Sequence, residues 1–320
     1  MIWKFITFLV RKLDPENSHQ VTLFALKLGF HPRLKKVKII TKINNLIFSN
    51  LLGVAAGFDK NAQVIQKIHH LNFGFMEVGT ITPLPQYGNP KPRVFRLKKD
   101  QGIINRNGFN NLGMIEAKKK LDRYRKDFPI GSGFVLGINI GPNKDSKDRF
   151  DDYKTLSKNL SEFSDYISIN ISSPNTPNLM DFHESKKLER VLAAVKNGIL
   201  QSKKANLKLP IFLKISPDIK EDVLEKIVKI ANKKKITGLI ISNTTIDRGN
   251  KLSSKNFREV GGLSGKPLFI KSTTILSMAN KIIKKNNYSL HLIAVGGVYN
   301  SHTTYAKILC GASLVQLYTS

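Results

Sequence analysis

The stretch at 166–177 reads Tyr-Ile-Ser-Ile-Asn-Ile-Ser-Ser-Pro-Asn-Thr-Pro. Its first half alternates β-branched and small residues, as a buried strand does. Its second half is Ser, Pro and Asn, which break a strand and expose side chains in a tight loop. Asn170, Ser172, Ser173 and Asn175 therefore gather where a buried strand gives way to a loop. All four are amides or hydroxyls, with no carboxylate among them. Such a set suits a neutral, planar ligand rich in hydrogen-bonding groups, handled by a hydroxyl. The same residues also make Asx-type turns, so the choice between chemistry and capping depends on the rest of the chain.

Eight short apolar runs recur, at 51–56, 73–80, 134–139, 166–171, 211–215, 238–242, 291–295 and 313–318. Helix-length or loop-length segments separate most of them, with helical patterns at 221–234 and 272–285. Strands alternating with helices pair in parallel, and eight of them predict a closed (β/α)8 TIM barrel of the α/β class. An open doubly wound sheet is the alternative. No G-x-G-x-x-G opens a helix after the first strand, which weakens it. A barrel places its active groups just after the strands, on one face. Those positions are Ala56-Gly57-Phe58-Asp59-Lys60, Gly79-Thr80, Asn139, Asn170 with Ser173, Lys214, Asn243-Thr244, Gly296-Gly297 and Tyr318-Thr319. Taken singly, Asn forms turns, Gly caps helices and Lys is a solvated charge. Their coincidence across eight strand ends has no such explanation.

Gly296-Gly297 would let backbone N–H groups approach an anion, at the usual phosphate position of a barrel. Residues 261–265, Gly-Gly-Leu-Ser-Gly, are expected to form a second flexible glycine-rich loop. Together they predict a phosphate-bearing cofactor. The segment 82–113 is too long for a routine connection and rich in Pro and Gly. Long barrel loops line the site, so Asn105 and Phe109 become available to it.

The 320 residues, 41% hydrophobic, can build one large core. The single cysteine, Cys310, excludes a disulfide framework and a cysteine-rich metal site. A net charge of +29 favours anionic partners, but the lysines are spread along the chain and no RNA-reading motif with interleaved aromatics accompanies them. No run of 18 apolar residues predicts a spanning helix, and no signal peptide is read at the start. Residues 1–30 predict two short helices broken at Asp14-Pro15-Glu16. One presents Trp3, Phe5, Ile6, Leu9, Val10 and Leu13, the other Val21, Phe24, Ala25 and Leu28. Such a pair either packs on its own domain or lies in a membrane interface.

Longer motifs run through the chain in order: L-D-P-E-N-S-H at 13–19, A-A-G-F-D-K at 55–60, E-V-G-T-I-T-P at 77–83, K-P-R-V-F-R-L at 91–97, I-N-R-N-G-F-N-N at 104–111, G-I-N-I-G-P-N-K-D at 137–145, N-I-S-S-P-N-T-P at 170–177, N-T-T at 243–245, G-G-L-S-G-K-P-L at 261–268, A-V-G-G-V at 294–298 and S-L-V-Q-L-Y at 313–318. In these the chain resembles the dihydroorotate dehydrogenases, and among them the membrane-associated, quinone-using class. The resemblance implies oxidation of dihydroorotate to orotate in de novo pyrimidine (UMP) biosynthesis, with FMN taking the hydride and a membrane quinone reoxidising it. It implies Ser173 as catalytic base. It implies Asn105, Arg106, Asn107, Gly108, Phe109, Asn170, Asn175, Asn243 and Thr244 as substrate-binding residues, with Lys60 near the substrate carboxylate. FMN would be surrounded by Ala56, Gly57, Phe58, Asp59, Lys60, Thr80, Asn139, Asn170, Lys214, Ser242, Gly265, Gly297, Tyr318 and Thr319. His19, Arg96 and Tyr318 resemble the family's quinone-tunnel residues.

The chemistry of the side chains agrees with this. A cyclic ureide carries paired N–H and C=O groups that carboxamides match. One lysine answers the substrate carboxylate, and a second stabilises the negative charge that develops on a reduced flavin. A free serine is a poor base, so it requires a closed pocket. The soluble class resembles this one but carries a cysteine base at that loop, where this chain has Ser172-Ser173. The serine and the helix pair both assign the quinone-using class. Residues 1–40 are then expected to form a helical quinone- and membrane-docking segment, and residues 41–320 the FMN-binding barrel. The expected location is peripheral, on the cytoplasmic side of the cell membrane, with neither metal nor nucleic acid as partner.

Two departures from the family pattern stand out. The family continues past the Tyr-Thr pair with a glycine and a closing helix, whereas this chain stops at Ser320. A barrel lacking its final helix, with apolar surface uncovered there, is the expectation. Ser242 stands where the family often has Thr, and keeps the hydroxyl. The rival functions are a tRNA-reducing flavoprotein on the same barrel, which requires a cysteine acid near the flavin, and a truncated barrel that binds FMN without turnover.

Overall fold

The computed structural model describes residues 2–32, 34, 39–249 and 252–319, with side chains from Ile6 onward. The side chains of Trp3 and Phe5, and all of Ser320, lie outside the described residues. Two helices open the chain, α1 (Ile2–Val10) and α2 (Pro15–Lys27). The Asp14 carboxylate caps α2 by accepting from the N–H groups of Glu16 at 2.9 Å and Asn17 at 3.2 Å, with Pro15 in the first turn. A hairpin of β1 (Thr41–Ile43) and β2 (Leu46–Phe48) follows. The remaining elements are β3 (Leu52–Val54), α3 (Ile65–His70), β4 (Phe75–Ile81), β5 (Val94–Leu97), β6 (Gly102–Asn105), α4 (Gly113–Asp127), β7 (Val135–Ile140), α5 (Arg149–Leu160), β8 (Tyr166–Asn170), α6 (Ser185–Leu200), β9 (Ile211–Ile215), α7 (Glu221–Lys233), β10 (Gly238–Ile241), β11 (Gly262–Gly265), α8 (Phe269–Lys285), β12 (His291–Val295), α9 (Ser301–Leu309) and β13 (Leu314–Leu317).

Eight strands close into a parallel barrel in the order β3-β4-β7-β8-β9-β10-β12-β13, and β13 pairs back onto β3 from Val315↔Leu52 to Leu317↔Val54. Each is one of the apolar runs identified above. Strands such as β4, β7 and β8 are buried along their whole length, so they read as continuous apolar stretches without alternation. Phe75, Val135, Tyr166, Phe212, Ile240 and Ile293 fill the barrel, joined by Ile43, Leu46 and Phe48 from the hairpin. Phe48 meets Phe75, the first residue of β4, edge-on at 5.4 Å, so the hairpin plugs the N-terminal end. A Cβ on Gly137 would lie 2.1 Å from the Tyr166 ring, which explains a glycine inside β7. A second, larger apolar layer joins the strands to the surrounding helices through fully buried Leu121, Leu156, Leu188, Leu224 and Leu276. Each such leucine contributes about 2 kcal/mol of transfer free energy.

The structure corrects two local expectations. Residues 261–265 are not a flexible loop: Gly262–Gly265 forms β11, antiparallel to β6 from Gly262↔Asn105 to Gly265↔Gly102. With β5 it completes a three-stranded sheet, so the excursion at 82–113 is largely ordered as a platform over the barrel mouth. The small residues matter because the backbones come close; a Cβ on Gly261 would sit 2.4 Å from the Asn105 carbonyl oxygen. The helix expected at 272–285 begins earlier, at Phe269, directly after the turn containing Pro267. The last described element is β13.

Candidate active site

A cavity of about 680 Å³ opens at the C-terminal ends of the barrel strands, walled by the β5–β6–β11 sheet and by α1 and α2. Ala56, Gly57, Phe58, Lys60, Thr80, Asn170, Ser173, Lys214, Ser242, Asn243, Thr244, Gly297, Tyr318 and Thr319 line it from the barrel side. Asn105, Asn107, Gly108, Phe109, Asn175 and Gly265 line it from the excursion, the β8 loop and β11. His19 and Arg96 line it beside the helix pair.

Three residues expected around the ligands do not reach the cavity. The carboxylate of Asp59 is fully buried and accepts from the N–H groups of Asn61, Gln63 and Val64 at 3.2, 2.6 and 2.8 Å. It ties the turn that presents Lys60. Asn139 stands behind the wall, where its Oδ1 accepts from Thr80 Oγ1 at 2.6 Å and from Asn170 Nδ2 at 3.3 Å. Arg106 turns outward, to Glu259 at 2.8 Å and to the Pro92 carbonyl at 3.0 Å.

The amides form a connected frame. Asn170 Nδ2 also donates to Thr80 Oγ1 at 3.0 Å, and Asn170 Oδ1 accepts from Ser172 Oγ at 3.0 Å. Ser172 Oγ in turn accepts from Asn243 Nδ2 at 3.0 Å, joining the ends of β8 and β10. Across the cavity, Asn175 Nδ2 reaches Asn105 Oδ1 at 3.4 Å, which links the β8 loop to the platform. Ser173, 5% exposed, has among the described residues only the Asn175 N–H against its Oγ, at 3.3 Å. Beneath the frame lies Glu77, absent from the sequence-based site because it sits inside β4. Its carboxylate accepts from Asn139 Nδ2 at 2.7 Å, Gln316 Nε2 at 2.9 Å and Tyr166 OH at 3.2 Å.

A half-buried lysine, Lys60, and a buried one, Lys214, give the cavity its positive charge. Burial pushes the Lys60 ammonium down to about 8; Glu16 holds it up, Arg93 opposes it and Asp59 supports it. Burial also lowers Lys214, with the Glu77 charge holding it up. A lysine kept charged next to a cavity attracts a carboxylate or a developing anion. Burial pushes His19 down to about 4, helped by Lys60, so its ring is neutral at ordinary pH. It meets Phe58 edge-on at 5.4 Å and Tyr318 at 6.3 Å.

A further part of the wall is made of backbone. Gly296 and Gly297 have φ of +106° and +73°. A Cβ on Gly297 would stand 2.3 Å from Phe269 Cα, so this turn touches the N-terminus of α8. The Gly297 N–H has no acceptor among the described residues. An amide without an acceptor, lining a cavity beside a helix N-terminus, is what an anionic group needs. Ser264 and Thr319 line the same cavity, their hydroxyls 3.1 Å apart.

The helix pair is fastened to this wall by polar side chains from both sides. Glu16, seen only as part of a helix start, pairs with Arg93 at 2.5 Å. Arg96 donates to the carbonyls of Arg11 at 3.1 Å and Leu13 at 2.6 Å, and to Ser18 Oγ at 2.7 Å. Cys310, after α9, is not among the lining residues, which removes the thiol that a tRNA-reducing site requires. Among the described residues no group of three or more His, Cys, Asp or Glu is placed to hold a metal ion.

The family model described as dihydroorotate dehydrogenase matches residues 38–320. A Bartonella henselae protein named dihydroorotate dehydrogenase (quinone) is 44% identical over 311 residues, covering 96% of this chain and 83% of its own length. A Parvibaculum lavamentivorans protein of the same name is 43% identical over 315 residues, covering 98% of this chain and 86% of its own. The ligand-free DHODH structure from Eimeria tenella superposes with a TM-score of 0.91 at 36% identity, covering 96% of this chain and 89% of that one. A match spanning the barrel, its platform and every cavity-lining strand end means that the chain belongs to the dihydroorotate dehydrogenase family.

Proposed function

We propose that this chain oxidises dihydroorotate to orotate, with FMN as resident hydride acceptor and a membrane quinone as the final oxidant. One observation carries the proposal: Lys60, Asn105, Asn170, Ser173, Asn175, Lys214, Asn243 and Thr244, drawn from separate strand ends and the platform, line one cavity. When bound, FMN supplies a ring that accepts a hydride and can be reoxidised by a quinone. The fit is supported by the Gly297 amide and the Ser264 and Thr319 hydroxyls for its phosphate, and by Thr80, Asn170 and Lys214 for its ring. Asn139 would act behind Thr80 and Asn170, and Asp59 through the turn it ties, rather than by contact.

In this proposal Lys60 pairs with the substrate carboxylate, and the four carboxamides match the ureide N–H and C=O groups as donors and acceptors. Ser173 Oγ takes a proton from the substrate carbon next to the one that loses hydride and gives up its own hydroxyl proton to water. The closed setting helps, since few competing donors surround its Oγ. Lys214 opposes the negative charge that develops as reduction proceeds.

Quinone would enter between α1 and α2, past His19, Arg96 and Tyr318, along apolar lining from Val10, Val21 and Ala25. The same helices and the residues at their C-terminal ends leave Phe8, Leu9, Leu13, Phe24 and Leu28 exposed, which supports peripheral docking on a bilayer. Among the described residues no helix is long and apolar enough to cross a membrane. A net charge of +29 favours the anionic cytoplasmic leaflet. Residues 1–40 would be the docking segment and 41–320 the catalytic barrel.

The test is spectroscopic. The purified chain is expected to be yellow, with flavin absorbance bleached by dihydroorotate without oxygen and restored by a soluble quinone. Flavin that stays oxidised in the presence of dihydroorotate would sink the proposal.

A further inference from the structure

Behind the Gly296-Gly297 turn lies a side chain that no step above uses. Lys307 of α9 is 0% exposed, and among the described residues it makes no ion pair. Its ammonium donates to Ser272 Oγ at 2.6 Å and lies 5.3 Å from the centre of the Phe269 ring. Ser272 Oγ has one proton to give and lies 2.9 Å from the Gly296 carbonyl and 3.1 Å from the Phe269 carbonyl, the shorter contact being the one to Gly296. A hydroxyl whose proton goes to a carbonyl receives the lysine on its lone pair, so the chain of donors runs in one direction, from Lys307 through Ser272 to Gly296.

The geometry of the peptide plane then fixes the neighbouring amide. In a trans peptide the C=O of Gly296 and the N–H of Gly297 point to opposite edges. Ser272 holds the carbonyl edge on the protein side. The N–H edge belongs to Gly297, which lines the cavity and is given no acceptor by the described residues. A fully buried cation without a carboxylate partner is rare, because desolvation is not offset. Burial pushes this ammonium down to about 7, with only Cys310 holding it up. An anion arriving at the Gly297 amide would supply the missing counter-charge.

We infer that Lys307 is a positioning residue for the cofactor phosphate: through Ser272 it aims the Gly297 N–H, and its buried charge selects a phosphorylated flavin over an unphosphorylated one. The inference rests on the FMN proposal above. It assigns to α9, outside the cavity, a role in recognition that lining residues alone do not supply.

The full chain would be equilibrated with FMN and, separately, with riboflavin, which lacks the phosphate. Dissociation constants would be read from quenching of flavin fluorescence. Wild type is expected to prefer FMN. In Lys307→Met the FMN constant rises about tenfold, the scale of one charge pair at an effective dielectric of ~20, while the riboflavin constant stays within about twofold. Lys307→Gln keeps a donor towards Ser272 without the charge; it is expected to lose the preference too, and carries the test if Lys307→Met does not fold. A variant that keeps the wild-type preference, or weakens both flavins equally, overturns the inference while leaving FMN binding intact. A wild-type chain with no preference overturns the phosphate proposal and this inference together.

Discussion

The guanidinium of Arg93 grips the carboxylate of Glu16 through two hydrogen bonds, 3.1 Å from Nε and 2.5 Å from Nη2, with side chains 7% and 15% exposed. The third nitrogen, Nη1, donates to the Asn89 carbonyl at 3.0 Å. One arginine thus holds both the platform loop and the helix pair. Burial raises the Glu16 pKa, but the Arg93 hydrogen bond and charge, with Lys91 and Lys60, bring it below its ordinary 4.5. A depressed carboxylate stabilises the fold above its unfolded pKa and loses that contribution as pH falls through the folded one. The clamp is therefore intact at neutral pH and opens only in acid.

Replacing Glu16 by Gln leaves Arg93 largely buried and without its counter-charge, at a cost of about 2 kcal/mol to docking of α2. The expected outcome is a split between half-reactions. Turnover with a soluble quinone falls about tenfold or more, while flavin reduction by dihydroorotate at pH 6 keeps its wild-type rate. Stopped-flow absorbance measures both. Equal losses in the two would mean that the clamp serves the whole site and not the quinone entrance.

Glu16 also controls Lys60, whose ammonium sits at about 8 with Glu16 as the main group holding it up. Orotate affinity in wild type is expected to be flat below about pH 8 and to weaken about tenfold per pH unit well above it, as the ammonium loses its proton. In Glu16→Gln the break moves to lower pH, since a supporting negative charge is gone. Titrating orotate by the perturbation of flavin absorbance across pH 6 to about 10 gives the curve. A break that ignores Glu16 removes Lys60 from carboxylate capture.

These couplings mark the boundary of what the sequence makes legible. The barrel strands were readable because a strand buried on both faces must be apolar throughout. The site was readable because parallel topology sends every strand end to one rim. Which way a polar side chain turns at that rim is a tertiary matter. Asn139 and Asn170 end similar runs, yet Asn139 is taken up by Glu77 and Ser168 while Asn170 reaches the cavity. The β11 strand was hidden because its partner β6 lies some 160 residues earlier, beyond the reach of any local pattern. Glu16 and Arg93 are 77 positions apart, and no local pattern joins them. Lys307 is one of 52 basic residues, and only its place four after buried Thr303 in α9 hints at burial.

Ser173→Ala removes the one hydroxyl proposed to take the substrate proton. FMN binding is expected to persist, since the flavin contacts proposed above lie elsewhere. Anaerobic flavin reduction at pH 7 should fall by about 10² to 10⁴, the usual contribution of a positioned base. A rate close to wild type would transfer the role to another group.

Lys307 makes a prediction about stability with an unusual sign. Its folded pKa, about 7, lies below the ordinary lysine value of 10.5, so between these values the unfolded chain binds a proton that the folded chain has released. Stability therefore rises with pH across that interval as far as this group is concerned. The penalty for burying the charge is fully present below about pH 7, shrinks above it, and is gone beyond the unfolded pKa. Lys307→Met abolishes the penalty, so in flavin-free protein it is expected to stabilise the fold at pH 6, on the order of 5 kcal/mol before loss of the Ser272 hydrogen bond is counted. The gain should shrink towards pH 10 or so. Urea unfolding of both chains at the two pH values gives the comparison, with FMN present in a second set. Adding FMN should stabilise wild type more than the variant, because only wild type gains a counter-ion for its buried ammonium. A variant less stable than wild type at pH 6 without flavin would show that Lys307 is a structural donor first, and that its charge is already compensated within the fold.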